Sequence, residues 1–352
     1  MVFTVNKQNF GKIKDGRDSR LFTLANKNGM SVSVTDYGAA LVSLILPDKT
    51  GKMLDVIRGF DDVSGYERTS TYMGATIGRH AGQIWRGSFE LNGETFNTVI
   101  NDHDHTMHGG PEGFHSRIFG VEAFDENGLS LCYTSRDGEA GFPGNLKVRV
   151  IYRLSDENSL GISFSGVSDR DTVLSMTNHA YFNLNGPESD SALDHELKIY
   201  ADRYTEVDEQ GVPTGRVLPV RGTVYDFTDF HAIGERINEP HRELEFCGGY
   251  DHNWVISPVK DNVTRLCAEL KNRDSSIHMR LYSNQPGLQM YSGNYLDDSE
   301  RGKNGITHNR RSAVCLEPQI CPNGLRNPHF PSPVLKKGEE YNYRTEYKFI
   351  QD

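Results

Sequence analysis

An all-β fold, a sandwich or barrel of many short strands, is what the sequence predicts, and three observations predict it. The 35 glycines and 14 prolines are spread evenly along the 352 residues rather than pooled in a linker. Short runs of alternating apolar and polar residues lie between these stops. Sustained 3.6-residue periodicity, the mark of an amphipathic helix, is almost absent.

The strands follow in chain order. Leu21–Asn26 and Met30–Thr35 flank Asn28-Gly29, and Ala40–Leu46 comes next. Ser88–Leu91 and Glu94–Phe96 flank Asn92-Gly93, and Val121–Phe124 and Leu129–Thr134 flank Asn127-Gly128. Each Asn-Gly pair supplies the two positive-φ residues of a tight hairpin turn. Leu146–Leu154, Leu160–Val167, Leu197–Tyr200, Arg265–Leu270, His278–Ser283 and Tyr341–Phe349 read as further strands, and Ala232–Ile237 as a helical turn or two. No internal repeat or low-complexity tract breaks the chain, so residues 1–352 are read as one domain.

Composition removes several classes of function. With 48 acidic against 38 basic side chains the formal charge is −10, which argues against a nucleic-acid backbone as partner. No apolar run reaches the roughly 18 residues of a membrane span, and the polar N-terminus is not a signal peptide. The five scattered cysteines form no C-x-x-C pair and read as reduced thiols in a cytoplasmic protein. The dinucleotide glycine fingerprint, the phosphate-binding P-loop and the G-x-S-x-G elbow are all missing.

Polar residues gather in five segments. Asn101–Gly110 carries His103, His105 and His108. One reading is a metal site with Glu112 as an added ligand; another is a surface turn; a third makes His108 a hydrogen-bonding group, with Gly109-Gly110 letting a ligand approach the backbone. In Thr177–Leu184, read as one strand, His179, Tyr181 and Asn183 share a face opposite Ala180, Phe182 and Leu184, as the wall of a sugar pocket would. In Gly248–Trp254, Asp251 is placed to accept two sugar hydroxyls and Trp254 to stack on a pyranose, or the segment is an ordinary turn. In Asn284–Asn294, Gln285 falls at a bend and Gln289 on a strand. In Ala313–Gln319, Glu317 shares a face with Cys315 and Gln319, away from Val314 and Leu316. A carboxylate in such apolar company is either ion-paired with an arginine or functional, because burying it bare is costly.

Taken together these segments resemble the aldose 1-epimerase (galactose mutarotase) family. The resemblance runs nearly end to end, through Asp36-Tyr-Gly-Ala-Ala40, Leu46-Pro-Asp48, Gly78-Arg79, His108-Gly-Gly110, Asn178-His-Ala-Tyr-Phe-Asn-Leu184, Gly249-Tyr-Asp-His-Asn253, Gln285-Pro-Gly287, Leu316-Glu-Pro-Gln319, Pro322-Asn323, Phe330-Pro331 and Leu335-Lys-Lys-Gly-Glu-Glu-Tyr341. It implies a large antiparallel β-sandwich with an open sugar cleft, no cofactor, and interconversion of the α and β anomers of a free hexose such as galactose or glucose. It also implies a catalytic base at Glu317, a general acid at His179, and sugar-binding roles for His108, Asp251 and Gln285. Arg79, Gln83 and Tyr181 are added as binding candidates. The partner expected is a small sugar, acting on a monomer or homodimer. One departure stands out. Where the family reads Gly-Arg-x-Ala-Asn-Arg-Ile, this chain has Gly78-Arg-His-Ala-Gly-Gln-Ile84, so Gln83 replaces a forked cation. Alternatives are a sugar 6-phosphate epimerase, an epimerase for another hexose, a catalytically silent carbohydrate-binding protein, and a metal-dependent cupin-like enzyme.

Overall fold

The computed structural model describes residues 4–126, 128–256 and 263–351. The chain is an antiparallel β-sandwich. A nine-stranded sheet contains the long strands Leu146–Leu154, Ser159–Ser168 and Glu340–Gln351; a six-stranded sheet runs through Tyr181–Phe182, Val314–Gln319, Gly287–Tyr291 and Asp251–Val255. A five-stranded N-terminal meander, Thr4–Lys12 to Met53–Asp55, joins them.

Alternation explains how the sheets meet. Along Leu146–Leu154 every second side chain is buried, and Leu146, Val148, Val150 and Tyr152 share one core cluster with Leu288, Met290, Val314 and Leu316 of the six-stranded sheet and with Phe22, Leu24 and Val32 of the meander. Period-two strands with one apolar face have no other way to exclude water from that face. The other face of the six-stranded sheet is thereby left for polar side chains.

Two of the expected hairpins form: Ser88–Leu91 pairs with Glu94–Asn97 around Asn92 and Gly93, both at positive φ, whereas Asp18–Ala25 pairs with Ser31–Thr35 through a longer turn closed by Asn26 N–H to Met30 O, in which Gly29 but not Asn28 is at positive φ. The third expected hairpin pairs Gly120–Asp125 with Gly128–Ser135, while Asn127 itself lies outside the described residues.

Two expectations are corrected. The helical turn or two expected over Ala232–Ile237 reduces to a single 3₁₀ turn, Ile233–Glu235, because His231 and Ala232 pair with Leu197 and Glu196 at the sheet edge and so enter the segment as strand. The α-helices present, Val63–Arg68 and Arg242–Cys247, are one-to-two-turn connectors too short for periodicity to announce. Thr177–Leu184 is not one strand either. Thr177–Asn178 pairs with Thr76–Ile77, whereas Tyr181–Phe182 pairs with Val314 and Cys315, so the chain changes sheets at His179 and Ala180. No helix among the described residues is long and apolar enough to cross a membrane.

Candidate active site

Strand register assembles the site. Tyr181 stands opposite Cys315, Cys315 opposite Tyr291, and Tyr291 opposite Asp251, giving one lateral row across four strands. In the next row Glu317 stands opposite Gln289. Because side chains alternate, these residues face away from the Leu316 and Met290 core. Tyr181, Tyr291, Asp251, Gln289 and Glu317 floor a cleft of about 560 Å³, walled on its other sides by Tyr72, Gln83, His108, Gln210 and Phe246, while Cys315 is buried outside its lining.

His179 enters from the chain's change of sheet. Its backbone N–H donates to Ala75 O and its carbonyl accepts from Gly74 N, and its ring lies between Tyr181 and Tyr72, with centroids at 5.0 and 6.1 Å. His179 Nε2 stands 3.7 Å from Glu317 Oε1, both side chains almost wholly buried. On its other edge Nδ1 faces Cys315 Sγ at 3.5 Å. Burial, reinforced by the charge of Asp251, pushes the Glu317 carboxyl well above its ordinary range; burial lowers His179 to about 4. Among the described residues Oε2 of Glu317 has no hydrogen-bond partner, and the ion pair found at the carboxylate is with His179 rather than with an arginine.

His108 adopts φ +54°, and its Nδ1 accepts the N–H of Gly82 at 3.1 Å. The neutral ring therefore carries its proton on Nε2, and burial keeps the imidazolium form well below the usual range. Gly82 itself is at φ +76°, and a Cβ there would stand 2.6 Å from the Pro322 Cβ. At Gly109, φ +84°, a side chain would strike the Gly78 carbonyl. Asp251 accepts from Gln289 Nε2 at 2.7 Å, and burial raises its carboxyl. Gln83 lies on a short strand opposite Met107 and donates weakly to Gly211 O at 3.4 Å. Tyr181 lines the wall with its hydroxyl given to Thr71 O.

Of the anticipated residues, then, Glu317, His179, His108, Asp251, Gln83 and Tyr181 share the cleft. Gln285 and Arg79 do not line it. The amide of Gln285 is buried and donates to Met176 O and Tyr341 Oη, because the bend carries it beneath the sheet. Arg79 is buried too, and its guanidinium donates to the carbonyls of Ser135, Arg136, Pro143 and Gly144. It pins loops behind the cleft. Trp254 sits in the core, its Nε1 donating to Tyr225 O, so it offers no stacking face; strand alternation opposite Asp251's side settles this. Asn183 likewise turns to the carbonyls of Ser189, Ser191 and Ser312. The three histidines of the 101–110 segment do not converge. His103 is exposed against Asp102, and His105 receives Arg86 N and donates to Gln210 Oε1.

Cleft residues that the sequence reading left out are Tyr72 and Tyr291, and Gln289 lines the cleft where Gln285 does not. Gln289 was readable as a strand position; Tyr72, held at φ +56° in a loop, carries no local signal. No lysine or arginine is among the described residues lining the cleft, which leaves a phosphate group without a cation to meet it.

The aldose 1-epimerase family profile matches residues 20–348. The chain is 35% identical to a galactose mutarotase of Bos taurus over 348 residues, 99% of each chain. It is 34% identical to an aldose 1-epimerase of Escherichia coli K12 over 343 residues, 96% of this chain and 97% of that one. Among solved structures it superposes on a galactose 1-epimerase from Lactobacillus acidophilus with a TM-score of 0.86 at 28% identity, covering 99% of both chains. A GalM/aldose epimerase homologue from C. elegans gives 0.87 at 29% identity, covering 95% of this chain and 99% of that one.

Proposed function

The chain belongs to the aldose 1-epimerase family, isomerases that interconvert hexose anomers, and from that premise we propose how its own residues perform the reaction. The observation that carries the proposal is the Glu317–His179 pair, 3.7 Å apart at the floor of one cleft.

Opening the pyranose requires loss of the O1 proton and gain of one at the ring oxygen O5. Glu317 takes the proton from O1, the C1=O1 double bond forms, C1–O5 breaks, and His179 Nε2–H protonates O5. After rotation about C1–C2 the steps reverse on the opposite face of C1. His179 recovers its proton, protonated Glu317 returns one to O1, and nothing is consumed. Each positioned transfer contributes about 10²–10⁴-fold.

The electrostatics support these roles. Free in water, a carboxylate holds its proton about two units less tightly than an imidazole. Burial moves Glu317 up and His179 down, making one a stronger base and the other a stronger acid. The pair therefore favours the state in which Glu317 holds the proton, and that state accompanies the open-chain aldehyde. Its preference offsets the aldehyde's intrinsic disadvantage, so that bound ring and bound chain lie close in energy. His108 Nε2–H donates to a sugar oxygen, and Asp251, Gln289 and Gln83 hold hydroxyls remote from C1. A neutral hexose, galactose or glucose, suits a cleft without fixed cations, while a sugar 6-phosphate does not.

Every residue named comes from one chain, so a monomer and a homodimer are equally competent. Five free cysteines support a reducing compartment, the cytoplasm. Polarimetry of freshly dissolved α-D-galactose and α-D-glucose tests the proposal: the protein accelerates the decay of rotation and His179→Ala does not. Acceleration by the alanine variant at the wild-type rate refutes it.

A further inference from the structure

The proton-transfer scheme leaves the Cys315 thiol without a task, although it lies against the pair. Its Sγ is 3.5 Å from His179 Nδ1. His179, Cys315 and Glu317 each present one ligand atom, and these three atoms lie within 4.8 Å of one another. Zinc bonds of ~2.0–2.3 Å set the edges of a tetrahedral ligand shell at roughly 3.3–3.6 Å. The widest separation thus exceeds a tetrahedral edge by at most about 1.2–1.5 Å, the adjustment that closing around an ion requires.

Two further observations favour a cation there. Glu317 Oε2 is buried without a hydrogen-bond partner, which is a cost the protein bears whenever the carboxylate is charged. The charges also cancel, since one thiolate and one carboxylate balance a divalent ion, with a neutral imidazole as third ligand. A sulfur–nitrogen set selects zinc over magnesium or calcium. Cys247 also borders the cleft, but no second and third ligand cluster with it among the described residues.

We propose that His179, Cys315 and Glu317 form an inhibitory site for Zn²⁺ or a similar thiophilic divalent cation, which competes with the sugar. The inference rests on the assignment of Glu317 and His179 as the acid–base pair. On binding, the Cys315 S–H bond breaks and its proton leaves to solvent as the S–Zn bond forms. The proton shared by Glu317 and His179 is also released, and both lone pairs go to the metal. No redox change occurs. The ion occupies the atoms that must reach O1 and O5, so sugar and zinc exclude each other.

Cobalt(II) reports the site without any assay of activity. Titration of the wild-type protein gives a thiolate-to-metal charge-transfer band, and Cys315→Ala and Cys315→Ser lack it. In polarimetry Zn²⁺ raises the apparent KM at unchanged kcat, and a chelator restores the rate. Both Cys315 variants keep the zinc-free rate and need at least ~10–100-fold more zinc for the same inhibition. Absence of the band in the wild-type protein overturns the proposal, and so does undiminished zinc sensitivity in whichever Cys315 variant folds. Should Glu317→Gln and His179→Ala keep full activity in the absence of zinc, the acid–base assignment fails instead, while the cobalt band still stands or falls on its own.

Discussion

Replacing Glu317 with glutamine removes a base while preserving side-chain volume at a fully enclosed position of the strand Val314–Gln319. The loss of one positioned proton transfer is ~10²–10⁴-fold in kcat, or about 2.7–5.4 kcal/mol of barrier. Stability moves the other way. The carboxyl is held above its ordinary range by burial and by Asp251, so the folded state binds its proton more tightly than the unfolded chain does. Its contribution to stability is complete below the unfolded value and is lost progressively as pH rises toward the folded one. An amide has no such slope. In Glu317→Gln the melting temperature in alkaline buffer should therefore equal or exceed that of wild type, and the gain should shrink in mildly acidic buffer. Initial polarimetric rates, corrected for spontaneous mutarotation, and thermal melts at the two pH values measure both sides. A variant that keeps its rate, or melts lower than wild type in alkali, refutes the reasoning that this carboxylate is a buried base kept at a cost to the fold.

The pH–rate profile should be broad, because activity needs the pair to hold a single proton; the acid limb falls where His179 also becomes charged, near about 4, and the alkaline limb lies above the usual carboxylate range. Arg79→Ala should strip the guanidinium from the carbonyls of Ser135 and Gly144, while Pro143 O keeps Thr172 Oγ1 and Arg136 O keeps Glu139 N, and cost about 1–3 kcal/mol of stability, read in urea unfolding, with KM for galactose unchanged in the folded fraction. Gln285→Leu should likewise lower the melting temperature without altering KM, the opposite of a sugar contact. Gly82→Ala should destabilise by ~1–2 kcal/mol from its positive φ alone, with more from the encounter with Pro322; a neutral outcome in chemical denaturation would show that the loop moves aside.

What the sequence disclosed divides along physical lines. Alternation is a local property, so Leu146–Leu154 was read at its observed bounds and Cys315, Glu317 and Gln319 were placed on one face. The Asn92-Gly93 turn followed from backbone sterics alone. Burial of a carboxylate among apolar neighbours marked Glu317 before any coordinate was known. Register was not legible. Whether Gln285 or Gln289 faces the cleft depends on which residue stands opposite Glu317, a pairing between positions 289 and 317 of the chain. Arg79 entered as a binding candidate with the Gly78-Arg79 motif, and only the segment 135–144 folding over it reveals carbonyls as its partners. Helices of six residues, such as Val63–Arg68, are shorter than the window in which a 3.6-residue period can be recognised.

The neutral amides Gln83, Gln289 and Gln319 line the cleft, and no guanidinium or ammonium group lines it among the described residues. An uncharged hexose approaching such a surface feels no long-range field, so its encounter is neither hastened by steering nor slowed by screening. Catalytic efficiency should accordingly stay flat from dilute buffer to concentrated salt, and swings in cellular ionic strength would leave the interconversion of anomers running at an even pace.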